Sequence, residues 1–155
     1  MTNFAPYLSH RDETPVFNTS TELSAQDIHP ITGYLPSRAS NATDSIIGIG
    51  VVAHDGLVVG GYFIPTTSQA GSATHFANLR LINLGPSANL STNLASRSLS
   101  AAGQGVSAHQ RGDMTLSSGT ALSVSAGDVI GVSYASQGNG IAVVAHTAEL
   151  HYRKR

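Results

Sequence analysis

The sequence predicts an all-β fold, an antiparallel β-sandwich or jelly roll, and three observations predict it. Apolar residues recur at every second position in several short runs, the period of a strand with one buried face. Gly, Asn, Asp and Pro punctuate those runs at short intervals, which suits tight reversals better than helical crossovers. Composition agrees: of 155 residues, 41% are hydrophobic and only 11% charged, with 16 glycines. That balance fits neither a Lys/Glu-rich helical bundle nor a highly charged disordered chain. The length suits one domain that buries a core without staples. Without cysteine there is no disulfide and no thiolate metal site.

Taken in order, residues 1–45 read differently from the rest. Pro6, Pro15, Pro30 and Pro36 interrupt this stretch, and no period is sustained. Proline fixes φ and biases its predecessor toward extended backbone, so an extended N-terminal arm with turns is expected. One helical turn near 24–28, capped by Ser24, is compatible with it. A long aperiodic stretch in a compact domain is usually functional or disordered. Its spaced apolar side chains favour an arm that orders on another surface, with packing across its own domain as the alternative. The candidate contact residues are Phe4, Tyr7, Leu8, Val16, Phe17, Ile31, Tyr34 and Leu35.

Residues 46–155 are the predicted sandwich. Segments 46–54 and 57–65 flank Asp55-Gly56, a two-residue hairpin signal. Segment 77–84 is the next strand, stopped by Gly85-Pro86, and weaker strands are expected in 94–99 and 106–116. Segments 122–125 and 129–134 flank the tight reversal Ala126-Gly127-Asp128, and Ile130, Val132 and Tyr134 share a face. The last strand, 141–152, aligns Ala142, Val144, His146, Ala148, Leu150 and Tyr152.

Chemistry is sparse. Seven histidines are present, yet none forms the His-x-His pair that a cupin-type metal site needs. His146 and His151 fall on opposite faces of a straight strand. A contact between His54 and His146 requires the strands that carry them to pair. No serine stands in a Gly-x-Ser-x-Gly elbow, and Gly48-Ile49-Gly50 leads into a strand rather than a phosphate-binding helix. Arg111-Gly112-Asp113 spells an adhesion tripeptide, but a Gly-Asp turn explains it more cheaply. Sequons at Asn18, Asn41 and Asn89 matter only in a secreted eukaryotic chain. No enzyme, cofactor or metal is expected.

Charge excludes a further class. Eight basic residues face nine acidic ones, and three of the eight are Arg153, Lys154 and Arg155. Without that trio the body has five cations against nine anions, a balance of −4, the reverse of a nucleic-acid binder. The trio itself reads as a solvated end. No apolar run is long enough for a membrane span, so neither nucleic acid nor membrane is an expected partner.

The order of elements from residue 46 onward resembles a known family. Ile49-Gly50-Val51-Val52-Ala53-His54-Asp55-Gly56 leads into Val58-Val59 and Ile64-Pro65. Leu79-Arg80-Leu81-Ile82-Asn83 follows, then Leu122-Ser123-Val124-Ser125-Ala126-Gly127-Asp128-Val129-Ile130 and Gly138-Asn139-Gly140-Ile141-Ala142. This text is similar to capsid decoration (cement) proteins of tailed bacteriophages. The resemblance covers about two-thirds of the chain and rests on turns and strand patterns. It implies a jelly-roll-like sandwich, commonly a homotrimer, on the outer capsid surface of the virion, bridging copies of the major capsid protein. A fibre or receptor-binding module that holds glycans is the rival expectation. Its candidate loops 66–76, 85–93 and 101–107 contain one aromatic, Phe76.

Overall fold

The alternation read from the sequence becomes ten strands in a computed structural model that describes residues 28–40, 42–101 and 104–155. They are β1 Ile28–Leu35, β2 Ser45–Val51, β3 Gly56–Pro65, β4 Phe76–Gly85 and β5 Thr92–Ser98. The two-residue strands β6 Gly112–Asp113 and β7 Thr115–Leu116 follow, then a 3-10 turn Gly119–Leu122. β8 Ser123–Val124, β9 Val129–Gln137 and β10 His146–Lys154 complete the chain. Among the described residues there is no α-helix.

The strands form two antiparallel sheets. Sheet 1 has the order β1-β10-β3-β6, with β8 also pairing β3, and sheet 2 has the order β2-β9-β4-β5-β7. The pairing is nested: β1 with β10, β2 with β9, β3 with β6, and β4 with β5. That is the jelly roll, a long hairpin rolled so that its outermost strands meet. Period-two alternation supplies the core between the sheets. From β9 come Ile130, Val132 and Tyr134, and from β10 come His146, Ala148, Leu150 and Tyr152, all buried. β4 adds Ala77, Leu79 and Leu81, each 3% exposed or less. A fully buried Leu, Ile or Val contributes roughly 1.5–3 kcal/mol, so these rows are the main force joining the sheets.

The two open sides of the sandwich are closed differently. On one, β6 passes straight into β7 and changes sheets at the buried Met114, whose N–H donates to the Gly61 carbonyl at 2.9 Å. On the other, edge strands β1 and β2 lie against each other. A Cβ on Gly33 would stand 2.5 Å from Cβ of Ile49, and one on Gly50 would stand 2.7 Å from Cγ2 of Ile31. Only glycine permits so close a seam.

Five expectations are corrected. Residues 28–45 do not belong to an arm outside the sandwich, because β1 pairs with β10 along its whole length from Ile28↔Arg153 to Leu35↔His146. The strands flanking Asp55-Gly56 are not a hairpin, since β2 joins sheet 2 and β3 joins sheet 1. The run 106–116 is not one strand: Val106 bridges Gln69, and only 112–113 and 115–116 pair with sheets. The last strand starts at His146, and Val143, not Ala142 or Val144, is buried ahead of it. Val143 is held by a bridge to Arg38. The basic trio is also not a frayed end. Arg153 and Lys154 pair within sheet 1, and the Arg155 N–H donates to the Asp55 carbonyl at 3.0 Å.

Candidate interaction surface

The expected contact residues separate into three groups. Phe4, Tyr7, Leu8, Val16 and Phe17 lie outside the described residues. Ile31 and Leu35 are 8% and 0% exposed, and belong to the core of this domain instead of a contact with another protein. Their positions on β1 alternate inward, so burying them against sheet 2 is what attaches β1 to the sandwich. Tyr34 points outward between them and is 67% exposed, a large aromatic presented on an edge strand.

Tyr34 belongs to the outer face of sheet 1, where the fold brings several polar and aromatic side chains together. Thr32, Glu149, Tyr62 and Asp113 form one cross-strand row, and Pro30, His151 and Gly60 the next. The His151 ring meets Tyr62 edge-on at 4.8 Å between centroids, and its Nε2 lies 3.4 Å from Oε2 of Glu149. The Arg111 guanidinium covers the Tyr62 ring at 4.2 Å, a cation–π contact. Gly60 leaves room for Tyr62, whose hydroxyl occupies the place a Cβ would take. The result is a shallow hollow of about 300 Å³ beside Gly61 and Asp113. Glu149 and His151 were readable as an outward pair flanking the apolar Leu150. The approach of Arg111 to Tyr62 carries no local signal, because β3 and β6 meet only through the roll.

Arg111-Gly112-Asp113 is neither a turn nor a projecting loop. Gly112 and Asp113 are β6, and the Arg111 and Asp113 side chains lean toward each other at 3.7 Å. Both are more than half exposed, so this ion pair contributes little. The Arg97 guanidinium closes the edge by donating to the Asp113 and Gln104 carbonyls at 2.7 and 2.8 Å.

Inside the sandwich His146 is fully buried, and Phe63 and Tyr134 are its aromatic neighbours. Its Nδ1 lies 2.9 Å from the Val144 carbonyl, which only accepts, so Nδ1 carries the proton. Nε2 is then the acceptor for the Tyr134 hydroxyl at 3.0 Å. Burial lowers the His146 pKa, and the Val144 bond offsets part of that. Burial also raises the Tyr134 pKa, with Arg38 over its ring opposing. This neutral, satisfied pair joins β9 to β10 and is sealed from solvent. It does not meet His54, because β2 pairs with β9 and not β10. His54 instead meets His29 at 5.5 Å between centroids, beside Tyr152. Among the described residues no three His, Asp or Glu side chains converge as metal ligands.

At the end of the sandwich where β10 begins, Gln69 ties three loops together. Its Oε1 accepts from Val144 N–H at 2.9 Å, and its Nε2 donates to the Ala142 and Ala70 carbonyls. Its backbone exchanges bonds of 2.8 and 2.9 Å with Val106. The loops are therefore pinned frames of small residues, not open clefts.

No family model matches the chain, and no curated protein does. Among solved structures the chain is similar to one from infectious bursal disease virus, Gx strain, with a TM-score of 0.39 and 12% identity. That match covers 81% of this chain and 32% of the other. The chain thus spans about a third of the length of the protein it matches.

Proposed function

We propose that the chain is a capsid decoration (cement) protein. It binds the outside of a phage head, as a homotrimer, and stabilises contacts between major capsid subunits without catalysing a reaction. The observation that carries this reading is Tyr34, 67% exposed on an edge strand directly downstream of residues 1–27. Those residues contribute Phe4, Tyr7, Leu8, Val16 and Phe17. Aromatic and aliphatic anchors supply most of the energy at protein interfaces. A strand edge suits attachment by added backbone pairing. Three copies acting together let each contact be weak, since the second and third attachments are intramolecular. The similarity of the strand and turn text to cement proteins supports the same role.

The test is cryo-microscopy of the parent particle beside mass measurement of the protein in solution. Density for the sandwich over capsid subunit junctions, and a trimer mass, are expected. Sedimentation with heads should be lost when Phe4, Tyr7 and Tyr34 are all replaced by serine. Undiminished binding by that variant, with its fold intact, would sink the proposal.

A second reading, a glycan-binding module on a head fibre, is favoured by the outer face of sheet 1. Glu149, His151, Tyr62 and Arg111 there combine planar hydrogen-bonding groups with an aromatic ring. A glycan screen with hits abolished by Glu149→Ala would favour it over the cement role.

A further inference from the structure

The end of the sandwich where β1 begins brings together two histidines from separate parts of the chain. His29 takes an inward position on β1, half-buried and opposite Tyr152 in the pairing with β10. Its ring stacks on Tyr152 at 5.5 Å between centroids and 30° between planes, which fixes the direction of the imidazole. His54 lies in the crossover from β2 to β3 and is exposed, with its ring centroid 5.5 Å from that of His29.

The crossover is pinned on both sides of His54. Val52 N–H donates to the Asp128 carbonyl at 2.9 Å, and Ala53 N–H to the Tyr152 hydroxyl at 3.2 Å. Asp55 accepts from Arg155 N–H through its carbonyl at 3.0 Å, and from Ala126 N–H through Oδ1 at 2.8 Å. An exposed side chain is thus carried on fixed backbone and faces a neighbour whose own ring is held by stacking. Among the described residues the hydrogen bonds made by histidine rings belong to His75 and His146, so neither His29 nor His54 uses its lone pair on a protein donor.

We infer that His29 and His54 together bind one divalent transition-metal ion, with Zn2+ as the test case and water in the remaining positions. Imidazole suits zinc, copper and nickel, and stands about 2.0–2.1 Å from Zn2+. Two imidazoles on one tetrahedral ion then have ring centroids about 5–5.5 Å apart, which the 5.5 Å observed here matches. Sharing an ion does not fix the angle between the ring planes, so the observed 63° is compatible with it. The ion would join the start of β1, in sheet 1, to the crossover that leaves sheet 2. Because the unfolded chain does not hold the two rings together, binding favours the folded state. The site does not depend on the shell-binding reading.

Calorimetric titration of the full chain with Zn2+ at about pH 7.5, where unperturbed imidazole is neutral, tests this. One ion per chain is expected, with Tm raised by at least about 3 °C at saturating Zn2+. His54→Ala, at an exposed position, should keep the metal-free Tm of the parent and lose at least about tenfold in Zn2+ affinity. His29→Asn should lose as much. His151→Asn is the control, since that ring faces Glu149 on the outer face of sheet 1, and it should bind as the parent does. With Cu2+ in place of Zn2+, the electron paramagnetic resonance spectrum should show two coupled ring nitrogens in the parent and one after either substitution. No binding by the parent chain overturns the site, as does affinity that survives His54→Ala or is lost with His151→Asn.

Discussion

The Tyr134 hydroxyl donates to Nε2 of His146 across 3.0 Å, and this bond links sheet 2 to sheet 1 through the middle of the core. It requires a neutral imidazole, because protonated Nε2 cannot accept. Burial accordingly holds the His146 pKa below its ordinary value. The unfolded chain takes up a proton near pH 6.5, before the folded chain does. The contribution of this site is therefore complete above that pH and declines as pH falls toward the folded pKa. Urea midpoints should drop between about pH 7.5 and pH 5.5, and His146→Gln should flatten that slope. A variant with the parent slope would refute the assignment. The Arg38 guanidinium lies over the Tyr134 ring, 4.4 Å from its centroid.

Gln69 is 4% exposed, and its side chain fills hydrogen bonds that the loops around 142–144 cannot make for themselves. Gln69→Ala would strand the Val144 N–H and the Ala142 carbonyl. Stranded buried groups cost about 1–3 kcal/mol each, less where water enters. A loss of about 2–3 kcal/mol is expected by chemical denaturation. Gln69→Glu should also destabilise, since it replaces the amide donor to Ala142 by an acceptor.

Asp128 and Asn83 set the other end of the roll. The Asp128 Oδ2 accepts from Asn83 Nδ2 at 2.6 Å and from Ser125 N–H at 2.9 Å, while Asn83 Oδ1 accepts from Gly85 N–H at 2.7 Å. One carboxylate thus fixes the 125–128 turn and the end of β4 together. Asp128→Ala should cost about 2 kcal/mol, because two donors lose a charged acceptor. Thermal unfolding would show it, and a change near zero would mean water replaces the carboxylate.

How much of this was legible depended on whether the signal was local. The faces of β9 and of β10 from His146 onward follow from alternation alone, as does the reversal at Gly127, where φ is +91°. Pairing was not legible, because a roll pairs first with last, and only β4 and β5 are hairpin neighbours. β1 was hidden by its own composition. Its inward positions are His29, Ile31, Gly33 and Leu35, so only two of four are apolar. Pro30, which suggested an arm, points outward on an edge strand, where proline is tolerated. On the candidate surface, Tyr34 was named from sequence, whereas the Tyr62–His151–Arg111 cluster required knowing that β10 and β6 flank β3.

The β1–β2 seam gives the sharpest test of that hidden strand. Gly33→Ala would drive a methyl to 2.5 Å from Cβ of Ile49, on backbone that pairs with Ala148 and cannot retreat freely. Overpacking of this kind costs typically about 1–3 kcal/mol. The control is Thr32→Ala, on the exposed side of the same strand, which should stay within about 0.5 kcal/mol of the parent. Restoring room with Ile49→Ala in the Gly33→Ala background should recover part of the loss, because the two residues share one contact. If the two substitutions are additive, β1 does not lie against β2 as described.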